Sequence, residues 1–140
     1  MRLSVRNRFP ATVTAVASGE AMSTVQVRLD SGPAMTAAIT AESARELSLA
    51  AGTAVIVLVK STEVALAAGP VPRISIRNQL PGTVDAIDHG AVMTTVRVAL
   101  DGGDTATAVI TRDAADDLAL APGAPVTALV KSTEVSVALA

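Results

Sequence analysis

The sequence predicts an all-β protein: two tandem OB-like five-stranded Greek-key barrels, each with one short helix between its third and fourth strands. Three observations carry that prediction. Residues 4–67 match residues 75–138 at a constant offset of 71, without a gap and with about half the positions identical. Within each copy the apolar residues recur with period two, as in half-buried strands. The resulting order, β-β-β-α-β-β, is that of an OB-type barrel, and one helix per copy is too few for a parallel α/β fold.

The elements follow in order. Residues 12–17 form a first strand, and Thr24-Val25-Gln26-Val27-Arg28-Leu29 a second that alternates cleanly, as Thr95-Val96-Arg97-Val98-Ala99-Leu100 does in the second copy. Asp30-Ser31-Gly32 and Asp101-Gly102-Gly103 are turns. Third strands are expected at 35–39 and 106–110. Thr40 and Thr111 then stand at helix N-cap positions, with Glu42 and Asp113 in the first turn, where acids suit the helix dipole. Ala44 with Leu47, and Ala114 with Leu118, sit at helical spacing, and Gly52 and Gly123 are expected to stop the helices. Fourth strands (55–59, 126–130) and fifth strands (63–66, 134–139) are expected to close each module. The domains are thus 1–67 and 75–140. Residues 68–74, with Pro70 and Pro72, are a stiff, extended linker.

Composition narrows the chemistry. Half of the 140 residues are hydrophobic but only 1% are aromatic, with one Phe, no Trp, Tyr or Cys, and one His. No disulfide, thiolate zinc site or cysteine nucleophile can be built. One His cannot supply a multi-histidine metal site. Without aromatic platforms, and with a net charge of -2, nucleic-acid binding is disfavoured. Charge-free stretches such as 47–59 are too short to span a membrane, and the N-terminus has no apolar signal core. A soluble, cytoplasmic chain is expected. A small aliphatic module leaves apolar surface that contacts between modules or chains would bury, so an oligomer is expected as well.

The polar residues are matched between the copies. The only lysines, Lys60 and Lys131, are equivalent, as are the only asparagines, Asn7 and Asn78, and the pair Arg6 and Arg77. Taken singly, each has a bland reading as a solvated loop residue or a cap. Taken together, Ser, Arg, Thr, Lys and Ser make a donor-rich set without a central carboxylate. Such a set suits a small tetrahedral oxyanion. It does not suit a metal cation, which needs carboxylates or imidazoles.

Ser4-Val5-Arg6-Asn7 and Ser75-Ile76-Arg77-Asn78, the Ile-Thr pairs 39–40 and 110–111, and Lys-Ser-Thr at 60–62 and 131–133 resemble the Mop family of molybdate-binding domains. The tandem arrangement resembles a di-Mop molbindin, and the likeness covers nearly the whole chain twice. It implies modules that trimerise and bind molybdate, often also tungstate, between modules, with no other cofactor and the metal present only as oxyanion. The implied ligand residues are Ser4, Arg6, Asn7, Thr40, Lys60 and Ser61, and equivalently Ser75, Arg77, Asn78, Thr111, Lys131 and Ser132. A turn or backbone role suits the two asparagines better. Met22 and Met93 replace a polar residue frequent in the family, which removes support for a further site there. Arg8 stands where the second copy has Gln79, so the two site classes are expected to differ. His89 faces Ser18 in the alignment and reads as a loop residue.

No phosphate loop, His-Glu-x-x-His or nucleophile elbow is present, so no enzyme is expected. Mop-like domains also serve as ligand-sensing parts of transport ATPases and transcriptional regulators. A free-standing chain favours binding, storage or buffering of the anion. The expected partners are therefore the oxyanion and further copies of the chain, a homo-oligomer with a trimer favoured, and neither nucleic acid nor membrane.

Overall fold

A computed structural model describes residues 2–140. The chain forms ten strands: β1 (Asn7–Ser18), β2 (Met22–Leu29), β3 (Ala34–Thr40), β4 (Ala54–Val59), β5 (Ala65–Ala67), β6 (Asn78–His89), β7 (Met93–Leu100), β8 (Thr105–Thr111), β9 (Pro125–Val130) and β10 (Ser136–Leu139). Helices α1 (Ala41–Glu46) and α2 (Arg112–Asp117) follow β3 and β8. One 3-10 turn, Ser61–Glu63 or Ser132–Glu134, precedes each fifth strand.

The strands form two five-stranded antiparallel curled sheets, of order β10-β4-β1-β2-β3 and β5-β9-β6-β7-β8. The long first strand of each half makes the curl. β1 pairs with β4 over residues 7–12 and with β2 over residues 11–18, with a register shift between Val13 and Ala15. β6 repeats this with a shift between Val84 and Ala86. One extra residue in one strand bends it and raises its twist, so the strand leaves one neighbour and joins the other.

The expectation that each fifth strand closes its own module is overturned. β5 pairs with β9 of the second half, and β10 pairs with β4 of the first. Each half lends its last strand to the other. The 3-10 turn just before it explains the departure: Lys60 and Lys131 enter the turn in extended conformation, and Glu63 and Glu134 donate their backbone N–H back to those lysines. The chain therefore leaves β4 and β9 in a tight turn and does not run back along the same strand.

The core follows from this exchange. β2 and β7 alternate strictly, burying Ser23, Val25, Val27 and Leu29 in one and Thr94, Val96, Val98 and Leu100 in the other. These side chains join Val13, Val55, Val57, Val84, Val126 and Val130 in one continuous aliphatic core that spans both sheets, with Phe9 its one aromatic ring. The aliphatic excess of each module is thus buried against the other half.

The helices end earlier than glycine placement suggested. Leu47 and Leu118 cap them, and Ser48 and Ala119 reverse the chain with φ of 51° and 50°. Gly52 (φ 95°) and Gly123 (φ 90°) sit in the following turn. No helix among the described residues is long and apolar enough to cross a membrane.

Candidate anion-binding site

The asparagines have a definite task. The Asn7 amide donates to the Thr107 carbonyl (2.8 Å) and accepts from the Thr107 N–H (2.7 Å). Asn78 does the same with Thr36, at 2.8 Å both ways. Thr36 and Thr107 lie on β3 and β8, the edge strands of the two sheets. An edge strand presents unpaired N–H and C=O groups, and here a buried side-chain amide supplies both partners. The asparagines therefore stitch the start of each half to the outer strand of the other. Their amide oxygens and one N–H each are committed to that seam.

Thr40 and Thr111 are N-caps. Their hydroxyls accept from the N–H of Ser43 and Ala114, both at 3.1 Å. The Thr40 hydroxyl also donates to Ser43 Oγ at 2.8 Å, a bond that Ala114 cannot make in the second half. One hydroxyl thus satisfies an orphan helix N–H at each site.

The remaining donors fall into clefts. Ser75, Lys131 and Ser132 line one small cleft of about 200 Å³ together with Ile76 and Thr133, and no carboxylate shares it. Lys131 also borders a larger cleft of about 470 Å³ with Thr111, where Glu63, Glu134 and an apolar floor including Ile76, Val109 and Leu129 replace the donors. Lys60 borders a cleft of about 350 Å³ with Leu3, Val5, Leu58, Glu63 and Glu134. The smaller cleft suits a compact dianion, whereas carboxylates in the larger two oppose one. Arg6, Arg77, Ser4 and Thr40 are exposed and line none of these three clefts.

Two features bear on charge and satisfaction. Neither lysine forms an ion pair among the described residues, so both charges stand unneutralised. Ser61 Oγ is buried and has no hydrogen-bond partner. Leaving a buried hydroxyl unpaired costs about 1–3 kcal/mol, so a group from outside the described chain that reached it would be favoured. Its equivalent Ser132 is not left in that state. Among the described residues no group of three or more His, Asp or Glu is placed to hold a metal ion.

Two features escaped the sequence reading. The exchange of fifth strands leaves no mark on hydrophobic periodicity, because a strand reads the same whichever sheet receives it. The grip of position 8 and position 79 on the leading segments was also missed, though the copies differ there. Arg8 Nε donates to the Val5 carbonyl at 3.0 Å and its Nη2 to the Leu3 carbonyl, whereas Gln79 donates only to the Ile76 carbonyl, at 3.0 Å.

Tandem curled five-stranded sheets that exchange their last strands define an OB-like double-barrel protein, and known proteins share that plan. The chain belongs to the TOBE domain family, whose model matches residues 3–66 and 74–137. It is 44% identical over 140 residues to the molybdenum-pterin-binding protein MopB of Rhodobacter capsulatus, covering 99% of this chain and 52% of that protein. It is 40% identical over 139 residues to the molybdenum transport protein ModE of Azotobacter vinelandii, again covering 52% of the relative. The chain thus spans about half the length of these relatives. A solved structure of the cytoplasmic molybdate-binding protein ModG, with molybdate bound, matches over the whole of both chains with 40% identity and a TM-score of 0.97.

Proposed function

We propose that this chain binds molybdate, and tungstate alongside it, as the free oxyanion, and stores or buffers it in the cytoplasm without acting as an enzyme. The observation that carries the reading is the gathering of Ser75, Lys131 and Ser132 in a cleft that holds no carboxylate. A tetrahedral dianion needs a compact cation and several hydroxyl or amide donors, and that cleft offers them. The whole-length likeness to molybdate-bound ModG supports the same ligand and compartment. Arg6 and Arg77 lie exposed, each next in sequence to a cleft-lining residue, Val5 or Ile76, and Ser61 offers an unspent hydroxyl. On this reading a neighbouring copy completes each site, in a homo-oligomer, with a trimer favoured. Thr40 and Thr111 serve as caps whose helix ends face the ligand, and Asn7 and Asn78 frame the site through the backbone.

Calorimetric titration with molybdate, tungstate, sulfate and phosphate tests the reading, with bound metal counted by mass spectrometry. Saturable molybdate and tungstate binding with much weaker sulfate binding is expected. Lys60→Ala and Lys131→Ala should each weaken a distinct subset of sites by about 1.5–3 kcal/mol, the worth of a charge-assisted contact, with the fold unchanged. No saturable molybdate binding by the oligomer would overturn the proposal, and a monomer by light scattering would remove the shared sites.

A second reading, a ligand-sensing module within a molybdate transport or transcription system, is favoured by one observation. A unit 40% identical to this chain over 139 residues forms about half of the molybdenum transport protein ModE. Molybdate binding that changes the affinity for a second protein or a DNA site would favour that reading over storage.

A further inference from the structure

The β2–β3 turn of the first half meets the β7–β8 turn of the second, and there the two halves are not alike. Asp30-Ser31-Gly32-Pro33 stands against Asp101-Gly102-Gly103-Asp104. The Ser31 hydroxyl donates to the Asp104 carboxylate at 2.6 Å, and both residues are half-buried. The reciprocal contact sets Gly102 against Pro33. A Cβ added to Gly102 would lie 3.1 Å from Pro33 Cδ, 3.2 Å from its Cγ and 3.2 Å from the Ser31 carbonyl oxygen. The missing side chain at Gly102 lets the two turns close on each other.

The turn backbones give no reason for this difference. Leu29 and Leu100 donate their N–H to the carbonyls of Pro33 and Asp104, both at 2.8 Å. Gly32 and Gly103 take φ of 119° and 108° and donate back to Leu29 and Leu100. Residues 31, 33, 102 and 104 are therefore set by what faces them. Because the halves exchange equivalent strands through equivalent seams, two first halves could pair by the same plan, as could two second halves. Two first halves would set Ser31 against Pro33 twice. No carboxylate would take either hydroxyl, and each Ser31 Cβ would enter the space that Gly102 leaves free. Two second halves would set Gly102 against Asp104 twice, with no hydroxyl for either carboxylate. A first half with a second half makes the bond and avoids the crowding. The core carries the same bias. Phe9, Met35 and Val57 are each larger than their counterparts Leu80, Ala106 and Ala128, within one continuous core. Two second halves would underfill it and two first halves would overfill it.

We propose that the two turns form a heterotypic lock, by which the first half selects a second half, and not a copy of itself, as its partner in strand exchange. The partner it fits is a turn with a carboxylate at position 104 and no side chain at position 102. The lock keeps like halves of different copies from pairing. The linker, residues 68–74, holds the chain's own second half at high effective concentration, so the exchange closes within one chain.

Three full-length variants test this without any ligand. Ser31→Gly with Pro33→Asp gives both halves the second turn. Gly102→Ser with Asp104→Pro gives both halves the first. All four substitutions together invert the lock and restore the match. Each double variant loses a hydrogen bond to a charged group, so its unfolding constant in urea, at one protein concentration, should rise by about tenfold or more. The fourfold variant should return to within about threefold of wild type. After refolding at high protein concentration, wild type and the fourfold variant should show one mass by light scattering. The double variants should add larger species, in which like halves of different copies have paired. If the fourfold variant loses as much as the two double variants combined, the turns act separately and the inference falls. If it recovers but the double variants refold to the wild-type mass alone, the turns hold each other without selecting, and the inference falls as well.

Discussion

The two halves of the chain share a plan but not a surface. Where they are identical, they hold each other: Asn7 and Asn78 close the same seam, and Lys-Ser-Thr-Glu at 60–63 and 131–134 makes the same turn before each exchanged strand. They differ at outward positions and in loose segments, and also in the core, where Phe9, Met35 and Val57 stand against Leu80, Ala106 and Ala128. Arg8 stands against Gln79, Ser18 against His89, and Ala41 and Arg45 against Arg112 and Asp116. The cross-strand contact survives even the Ser18 change, since Ser18 bonds Ser23 Oγ at 2.8 Å and His89 bonds Thr94 Oγ1 at 3.1 Å. The asparagine seams and the Lys-Ser-Thr-Glu turns that join the halves are kept while the exchanged strands themselves differ, Ala65-Leu66-Ala67 against Ser136-Val137-Ala138, because a backbone ladder tolerates a change of side chain and a side-chain seam does not. Outer positions such as 18 and 89 are free to diverge.

The largest test of this division is to remove β10. A chain ending at Val135 lacks the four residues that pair with β4, residues 55–58. Several backbone hydrogen bonds, each about 0.5–1.5 kcal/mol, and the packing of Val137 go with it, a loss on the order of 3–5 kcal/mol. The damage should appear in the other half. Amide protection should fall at β4 of the first half while β9 keeps its β5 partner. Loss of protection at β9 instead would mean that each half closes itself.

The asparagine seams come next. Asn7→Ala removes two hydrogen bonds and leaves the Thr107 N–H and carbonyl unpaired at a part-buried edge. Unsatisfied groups of this kind make the expected loss about 2–4 kcal/mol in urea unfolding. Asn78→Ala should cost the same within about 1 kcal/mol, since it breaks the same pair of bonds, to the N–H and carbonyl of Thr36. A large inequality would break the equivalence of the seams.

Much of this was legible in the residues. Period two in 24–29 and 95–100 marked β2 and β7, and Thr40 and Thr111 marked the caps, because strand burial and capping are local events. The matched donors pointed to an anion, because hydroxyls and cations without acids have few other uses. The strand exchange was not legible, since Ala65-Leu66-Ala67 has the same pattern beside β4 or β9 and only the path of the turn decides. The lengths of β1 and β6 were underestimated for a similar reason. Their first residues pair with β4 and β9 through backbone atoms, and Pro10 and Pro81 obscure the strand signal while lying within the ladder. Which donors meet in one cleft was hidden too, because Ser75 and Ser132 lie outside the strands and only the path of the chain brings them beside Lys131.

The smallest expected effect lies on the outer helix faces. Arg112 and Asp116 form an ion pair at 3.3 Å across one turn of α2, with 43% and 61% of their side chains exposed. Ala41 and Arg45 occupy those places in α1 and form none. Two arguments make the pair weak. Exposed pairs at this spacing give about 0.3–0.5 kcal/mol and are screened by salt. The order is also unfavourable, with the cation at the N-terminal end of the helix and the acid at its C-terminal end, against the dipole. Arg112 does donate to the Gly90 carbonyl at 3.2 Å, but that bond is exposed as well. Arg112→Ala should therefore change stability by less than about 0.5 kcal/mol, and less still at about 1 M salt, where the screening length is about 3 Å. A loss above about 1 kcal/mol would place stabilising interactions on the divergent surface and undo the division between joined and free positions.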